Sequence, residues 1–270
     1  MKNSSISLHY NHYTVNLIDS LGHIDFCGEV STAVRLSDGA LLLVDVVEGV
    51  HIQTHAVLRQ YVDFLLSGGT AAGGEVMEDN DDVEDVFQPQ KGNVVFACAL
   101  DGWGFGIHEF AEIYASKLGA SVSALQKALW GPRYFNPLMK MIVGKKGIGG
   151  GGKAKPMFVQ FVLEPLWQVC QGALEGDKGL IEKVIRSFNL QVPARELRNK
   201  DAKVVFQSVM SRWLQLSDAI LSMVVKCLPD PVAAQGSRIS RLIPQGENLE
   251  VEDMGFFYNE IFLSFLRRLL

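Results

Sequence analysis

The chain has 270 residues, of which 48% are hydrophobic, so it is long enough for one large domain or two small ones with a buried core. Its net charge of −5 gives no global signature of nucleic-acid binding, so any contact with RNA would need a local basic patch. The four cysteines are widely spaced and no run of about eighteen apolar residues occurs, which excludes a disulfide framework, a cysteine-based zinc site and a membrane span.

The first fifty residues alternate between strand-like and helix-like patterns. Residues 5–10 and 13–19 alternate in the manner of strands, and Asn11-His12 between them predicts a tight hairpin turn. Apolar residues at helical spacing predict a helix over residues 27–37. The continuous apolar run 40–47 is typical of a strand that is buried on both faces.

The pattern continues with a predicted helix over residues 54–64. Strand, helix, strand and helix in this order predict an α/β layer fold. Residues 68–86 are rich first in glycine and then in acidic residues, which predicts a flexible, solvated insert. Another buried strand is predicted over residues 93–99, with a helix after it over residues 107–118.

The second half of the chain mixes both kinds of element. Residues 159–163 are strand-like, whereas apolar residues between 180 and 188 recur at helical spacing. A last helix is predicted to be capped by Ser217-Asp218 and to end before Pro229.

The most specific chemical pattern is a strand-like run that ends in Asp-x-x-Gly-His. In a nucleotide hydrolase, Asp19 at the strand end can hold Mg²⁺ through water, and the backbone N–H of Gly22 can approach a terminal phosphate. His23 can orient the attacking water. This short motif also occurs by chance in many loops, so its weight depends on the surrounding residues.

Those residues are informative: the stretch 16–60, NLIDSLGHIDFCGEVSTAVRLSDGALLLVDVVEGVHIQTHAVLRQ, resembles the translational GTPases of the elongation factor 2 type almost residue for residue. Three later stretches resemble the same family, namely residues 92–114, 155–174 and 209–235. Among the branches of this family, the segment DGWGFG at residues 101–106 is most similar to the elongation-factor-like GTPases of large-subunit maturation. The resemblance covers nearly all of residues 4–243.

The resemblance implies an α/β fold, namely an incomplete P-loop GTPase-type G domain of a translation factor with a mixed α/β insert subdomain. The truncated G domain would comprise residues 1–118 and include the acidic insert 68–86. Residues 119–208 would form the insert subdomain and residues 209–243 the closing helix. The tail 244–270 diverges from the family.

The resemblance also implies roles for individual residues. Asp19 would be the residue linked to Mg²⁺ through water, Gly22 would sense the γ-phosphate, and His23 would position water for catalysis. Cys98, Ala99 and Leu100 match the loop whose backbone contacts the guanine O6. The implied ligands are therefore GTP or GDP with Mg²⁺.

Two motifs of the family are missing. The phosphate-cradling G-x-x-x-x-G-K-[ST] loop does not precede Asp19, and no Asn-Lys-x-Asp motif occurs in residues 61–91. Two look-alikes do not replace them: GIGGGGKA at residues 147–154 is typical of a flexible connector, and residues 199–201 of a polar loop. Because the missing motifs supply most phosphate donors and the main base discriminator, we expect very weak GTP binding and negligible hydrolysis.

By resemblance, the parent function is GTP hydrolysis coupled to a conformational switch on the large ribosomal subunit during cytoplasmic ribosome maturation. The implied partners are that subunit, its maturation factors and ribosomal RNA, but not DNA. One alternative is a catalytically dead fragment that only docks to the ribosome. A second alternative is an elongation factor 2-like translocation factor.

Overall fold

The computed structural model describes residues 3–20, 27–50, 52, 54–56, 58, 87–137, 139, 141–145 and 155–235. Gly22, His23, most of the predicted helix 54–64, all of the acidic insert 68–86, the glycine-rich stretch 147–154 and the tail 244–270 lie outside these residues. The chain divides into a first unit, residues 1–77 with 228–270, and a second unit, residues 78–227.

The first unit opens with the predicted hairpin, which is confirmed. Strands β1 (Ser4–Tyr10) and β2 (Tyr13–Asp19) pair antiparallel, and Asn11 turns the chain with a φ of 53°. Asparagine tolerates this left-handed conformation better than most residues. The alternating pattern places apolar cross-strand pairs on one face: Ile6 with Leu17, Leu8 with Val15, and Tyr10 with Tyr13.

Helix α1 (Cys27–Leu36) follows, as predicted, and buries Val30, Ala33 and Val34 along one stripe. Residues 52, 54–56 and 58 are also helical.

The predicted buried strand over residues 40–47 is wrong. The chain forms a tight turn there, closed by a bridge between Asp45 and Gly49, and the Asp45 carboxylate accepts hydrogen bonds from the backbone N–H groups of Val47 (2.7 Å) and Glu48 (3.1 Å). Val46 and Val47 are more than 90% exposed. An apolar run becomes a strand only where neighbouring strands pair with it, and the aspartate offers the backbone a local alternative.

The second unit begins with a short hairpin of strands β3 (Phe96–Cys98) and β4 (Trp103–Phe105), which lies before helix α2 (Ile107–Leu118). The strand predicted over residues 93–99 is confirmed over residues 96–98, but it is not buried as predicted, because Ala97 is exposed and Phe96 and Cys98 are half-buried. Strand β4 was not predicted.

The remaining elements are mostly helical. They are α3 (Val122–Leu129), the antiparallel strands β5 (Arg133–Asn136) and β6 (Met141–Gly144), a π-helical turn (Val159–Leu163), α4 (Glu164–Glu175), α5 (Lys178–Ser187), α6 (Ala194–Leu197), α7 (Ala202–Trp213) and α8 (Leu216–Cys227). The helices predicted over residues 107–118 and from 180 to 188 are thereby confirmed. The last predicted helix is also present, but it begins at Leu216, so Ser217 and Asp218 lie within its first turn instead of preceding it as caps.

The strand predicted over residues 159–163 is wrong, because these residues form the π-helical turn that leads into α4. Pro165 has no N–H to donate to the carbonyl of Phe161, so a regular α-helical hydrogen bond is lost at this point. The N–H of Glu164 instead reaches back five residues to the carbonyl of Val159. Over five apolar residues, periodicity alone does not separate a strand from a buried helical turn.

One apolar core holds the second unit together. Its fully buried side chains come from α2, α3, α4, α7 and the segment before α4; the largest are Phe110, Ile107, Leu125, Leu129, Met157 and Met210. Phe110 contacts Phe105 and Trp213 edge-to-face, with ring centroids 5.1 and 5.9 Å apart.

The predicted mixture of helices and strands is thus present, but the described strands form three separate two-stranded antiparallel sheets instead of one layered sheet. Among the described residues, no helix is both long enough and apolar enough to cross a bilayer.

Candidate functional site

Of the three residues predicted to act on phosphate, Mg²⁺ and water, namely Asp19, Gly22 and His23, the structure describes Asp19. It is the last residue of β2, lies opposite Ser4 and has an exposed side chain. Gly22 and His23 follow it outside the described residues. Asp19 belongs to the first unit, whereas Cys98, Ala99 and Leu100 belong to the second.

The predicted guanine-contacting residues lie at the hairpin turn that joins β3 to β4. Cys98 ends β3 and its Sγ donates to Oδ2 of Asp101 at 3.4 Å. The N–H of Gly102 donates to the carbonyl of Ala99 at 3.3 Å, and Gly102 has a φ of 72°, which favours glycine. Leu100 at the tip is 78% exposed. The turn therefore presents its backbone at the surface.

Helix α7 holds this turn from one side. Nε2 of Gln207 donates to Oδ1 of Asp101 at 2.9 Å and to the carbonyl of Leu100 at 3.4 Å. The next strand is also fixed, because the N–H of Gly104 donates to the carbonyl of Leu214 at 3.0 Å. The turn 99–102 is thus tied to the middle of α7, and β4 to the residue that follows α7.

A shallow depression of about 440 Å³ lies between the turn and α7. Its lining is mixed in charge and consists of Ala99, Leu100, Asp101, Gly102, Glu196, Val204, Gln207, Ser208, Ser211 and Arg212. The turn therefore has an adjoining hollow, although an open and shallow one.

Three of these residues form one hydrogen-bonded network. Nη1 of Arg212 lies 2.9 Å from Oε2 of Glu196 and 2.8 Å from Oγ of Ser208, and Ser208 also donates to Glu196. The hydrogen bond from Ser208, followed by the contacts with Arg212, holds the pKa of Glu196 below its ordinary value. The network joins α6 to α7.

Replacing Glu196 with glutamine is expected to destabilise the second unit at neutral pH but not in acid. Because the pKa of Glu196 is lower in the folded than in the unfolded chain, its ionised form stabilises the fold above the unfolded pKa. This stabilisation is lost as the pH falls from the unfolded pKa through the lower folded pKa, so wild type and variant should converge once the pH is below the folded pKa. Urea titrations at neutral and acidic pH measure the difference.

The matched control is Glu175→Gln, which changes an exposed carboxylate that accepts a hydrogen bond from Gln171 on the same helix. It should leave the free energy of unfolding nearly unchanged. A Glu196→Gln effect of equal size at both pH values would show that the carboxylate charge is not what stabilises the network.

Sequence reasoning missed this network and the tie between Gln207 and Asp101. Asp101-Gly102 between apolar runs is the usual signal of a tight hairpin, and it would have predicted β4. The contacts themselves had no such signal, because Gln207 and Asp101 are 106 residues apart.

Residues 199–201 form the polar loop that was predicted. Oδ1 of Asn199 accepts from the N–H of Asp201 at 3.0 Å, and Oδ1 of Asp201 accepts from the N–H of Lys203 at 2.9 Å, so Asp201 caps α7. Within the described parts of the chain, no group of three His, Cys, Asp or Glu side chains could hold a metal ion.

Comparison with known proteins decides the relationship. Residues 1–67 match the family model described as the elongation factor Tu GTP binding domain. The chain is 38% identical, over 91% of its length, to the human protein named Elongation factor-like GTPase 1. The resemblance to the elongation-factor-like GTPases is confirmed.

Two fungal proteins that are similar to this chain have a different name. The chain is 38% identical over 94% of its length to Ribosome assembly protein 1 of Schizosaccharomyces pombe, and 35% identical over 90% to the protein of that name in Saccharomyces cerevisiae. The chain spans 28% of the human relative's length and 31% and 28% of the fungal ones.

Proposed function

We propose that this chain is a translation-factor-like GTPase polypeptide that acts in the assembly of the large ribosomal subunit in the cytoplasm. The observation that carries the proposal is the 38% identity, over 91% of the chain, with a protein named as an elongation factor-like GTPase. Relatives named for ribosome assembly favour maturation over translocation. The partners are then the large subunit, its maturation factors and ribosomal RNA.

GTP or GDP with Mg²⁺ is the ligand in this proposal. The exposed carboxylate of Asp19 at a strand end suits a hard cation held through water, since Mg²⁺ retains several waters when it binds. Gly22 would approach the γ-phosphate and His23 would position the attacking water. Cys98, Ala99 and Leu100 would contact the guanine through their backbone, and the exposed turn supports this role.

Nucleotide binding by the isolated chain should nevertheless be weak. No complete G-x-x-x-x-G-K-[ST] motif occurs in the 270 residues, and residues 61–91 contain no Asn-Lys-x-Asp. The alignment with the human relative covers 315 positions, which is more than the 270 residues of this chain. Within the aligned region, the human protein therefore has residues that this chain lacks. Both observations support a G domain that lacks internal parts.

A fluorescence titration of the purified chain with a labelled GTP analogue, with and without Mg²⁺, tests the proposal. We expect weak, Mg²⁺-dependent binding that GTP displaces and ATP does not, with no phosphate release above background. Asp19→Asn should abolish the Mg²⁺ dependence, whereas Glu29→Gln, a matched exposed carboxylate in the same unit, should not change it.

Two results would contradict the expected weak binding in different ways. Micromolar, Mg²⁺-dependent affinity would show that the nucleotide site is intact and that weak binding was wrongly predicted. Absence of any saturable binding would exclude a nucleotide-dependent function and would leave docking to the ribosome as the function to test.

A further inference from the structure

The junction between α6 and α7 carries a concentration of positive charge that the composition of the chain conceals. We call the four exposed cations Arg195, Arg198, Lys200 and Lys203 the basic corner. They stand within nine consecutive residues, where α6 ends and α7 begins. Among the described residues, no ion pair joins any of them to a carboxylate.

The two acidic residues of the same segment are already engaged. Glu196 is held by Ser208 and Arg212, and Asp201 accepts the backbone N–H of Lys203 as the cap of α7. Residues 195–212 contain five basic and two acidic side chains, a net charge of +3, in a chain whose total is −5. The charge is therefore local, and the nearby carboxylates contact Ser208, Arg212 and the first turn of α7 instead of pairing with the basic corner.

The backbone under the basic corner is well defined. The N–H of Arg198 donates to the carbonyl of Ala194 at 3.2 Å and the N–H of Asn199 to that of Glu196 at 3.1 Å, and the Asn199 side chain fixes Asp201. Four cations on an ordered turn lose less conformational freedom on binding a polyanion than cations on a disordered segment would.

The composition of this surface favours a phosphate backbone over an acidic protein. None of the large apolar side chains that are exposed in the described residues lies between positions 191 and 213. Protein interfaces usually need buried apolar or aromatic anchors, whereas phosphate contacts need only cations and polar donors. Arginine also binds phosphate oxygens through two parallel hydrogen bonds.

We propose that the basic corner binds the phosphodiester backbone of RNA and does so without reading the base sequence. The inference rests on the proposed ribosomal function and adds the place of contact on this chain. Its chemistry is a set of charge-assisted hydrogen bonds from Arg195, Arg198, Lys200 and Lys203 to phosphate oxygens.

The test is the salt dependence of binding between the full chain and a short labelled single-stranded RNA of mixed sequence, followed by fluorescence anisotropy. Each phosphate contact contributes about −0.7 to the slope of log K against log salt concentration, so four contacts predict a slope of about −2.8. Lys200→Gln combined with Lys203→Gln should halve the slope and weaken binding about 25-fold at roughly 0.1 M salt.

Lys178→Gln combined with Lys183→Gln is the matched control, because it removes two exposed lysines from α5 in the same unit. It should leave the slope and the affinity nearly unchanged. Thermal melts of both double variants show whether they fold, and exposed substitutions of this kind usually change stability by less than about 0.5 kcal/mol.

Three results would overturn the proposal. These are RNA binding without the salt dependence, equal losses in the two double variants, or tighter binding of a poly-glutamate peptide than of the RNA, which would point to an acidic protein partner. None of these measurements includes free GTP or GDP, so their outcome is independent of the GTP titration that tests the proposed function.

Discussion

Phe110→Ala is expected to lower the free energy of unfolding of the second unit by about 3–5 kcal/mol. Phe110 is 0% exposed and contacts both Phe105 and Trp213 edge-to-face. Alanine would remove most of a buried aromatic ring and leave a cavity between α2, β4 and α7, which the rigid surroundings can fill only in part. Since small domains are stable by only about 5–15 kcal/mol, this variant should be close to unfolding.

Tryptophan fluorescence during urea denaturation measures this effect selectively, because all four tryptophans lie between residues 78 and 227. Leu174→Ala is the control, since Leu174 is 72% exposed on α4 and its truncation leaves no cavity. Phe110→Leu should fall between wild type and Phe110→Ala. Equal denaturation midpoints for Phe110→Ala and Leu174→Ala would contradict the position of Phe110 in the core.

Gly172→Leu should destabilise the second unit by about 1–3 kcal/mol through crowding between α4 and α5. Gly172 is buried in α4, and a Cβ atom there would lie 3.2 Å from Cγ1 of Ile181 and 3.3 Å from Cδ2 of Leu180. Glycine in a helix costs about 1 kcal/mol relative to alanine, so its presence here is explained by the close approach of α5.

The control for crowding is Gln171→Leu, which places the same side chain one position earlier on an exposed part of α4. It gives up one hydrogen bond to Glu175 and should change the unfolding free energy only slightly. The same urea titration compares the two variants. If Gly172→Leu unfolds at the urea concentration of Gln171→Leu, the two helices are not in close contact at Gly172.

The candidate nucleotide residues illustrate how far the residues alone can lead. Asp19, Gly22 and His23 have the spacing Asp-x-x-Gly-His and lie in the continuous stretch 16–60, which resembles the translational GTPases. The relationship to GTPases is therefore recognisable in the sequence itself. The hairpin turn at Cys98, Ala99 and Leu100 was not predicted, because its signal lay one residue beyond them, in Asp101-Gly102.

Where elements are specified by neighbouring residues, the sequence was a good guide. The β1–β2 hairpin depends on alternation and a tolerant asparagine turn, and α5 depends on a repeating apolar stripe behind the Asp177 cap. These are local preferences that act within a few residues. They predicted the first hairpin and helices α1, α2, α5 and α8 correctly, whereas α3, α4, α6 and α7 were not predicted.

Tertiary structure decided the rest, because the deciding contacts join residues far apart in the chain. Two apolar runs, 40–47 and 159–163, have the pattern of strands, yet one became an exposed turn and the other a half-buried π-helical turn, depending on the packing and hydrogen-bond partners available. The Gln207–Asp101 tie and the Glu196–Ser208–Arg212 network span 106 and 16 residues. The four cations of the basic corner stand within nine consecutive residues of the sequence, but only the tertiary structure shows that the nearby carboxylates Glu196 and Asp201 engage other partners.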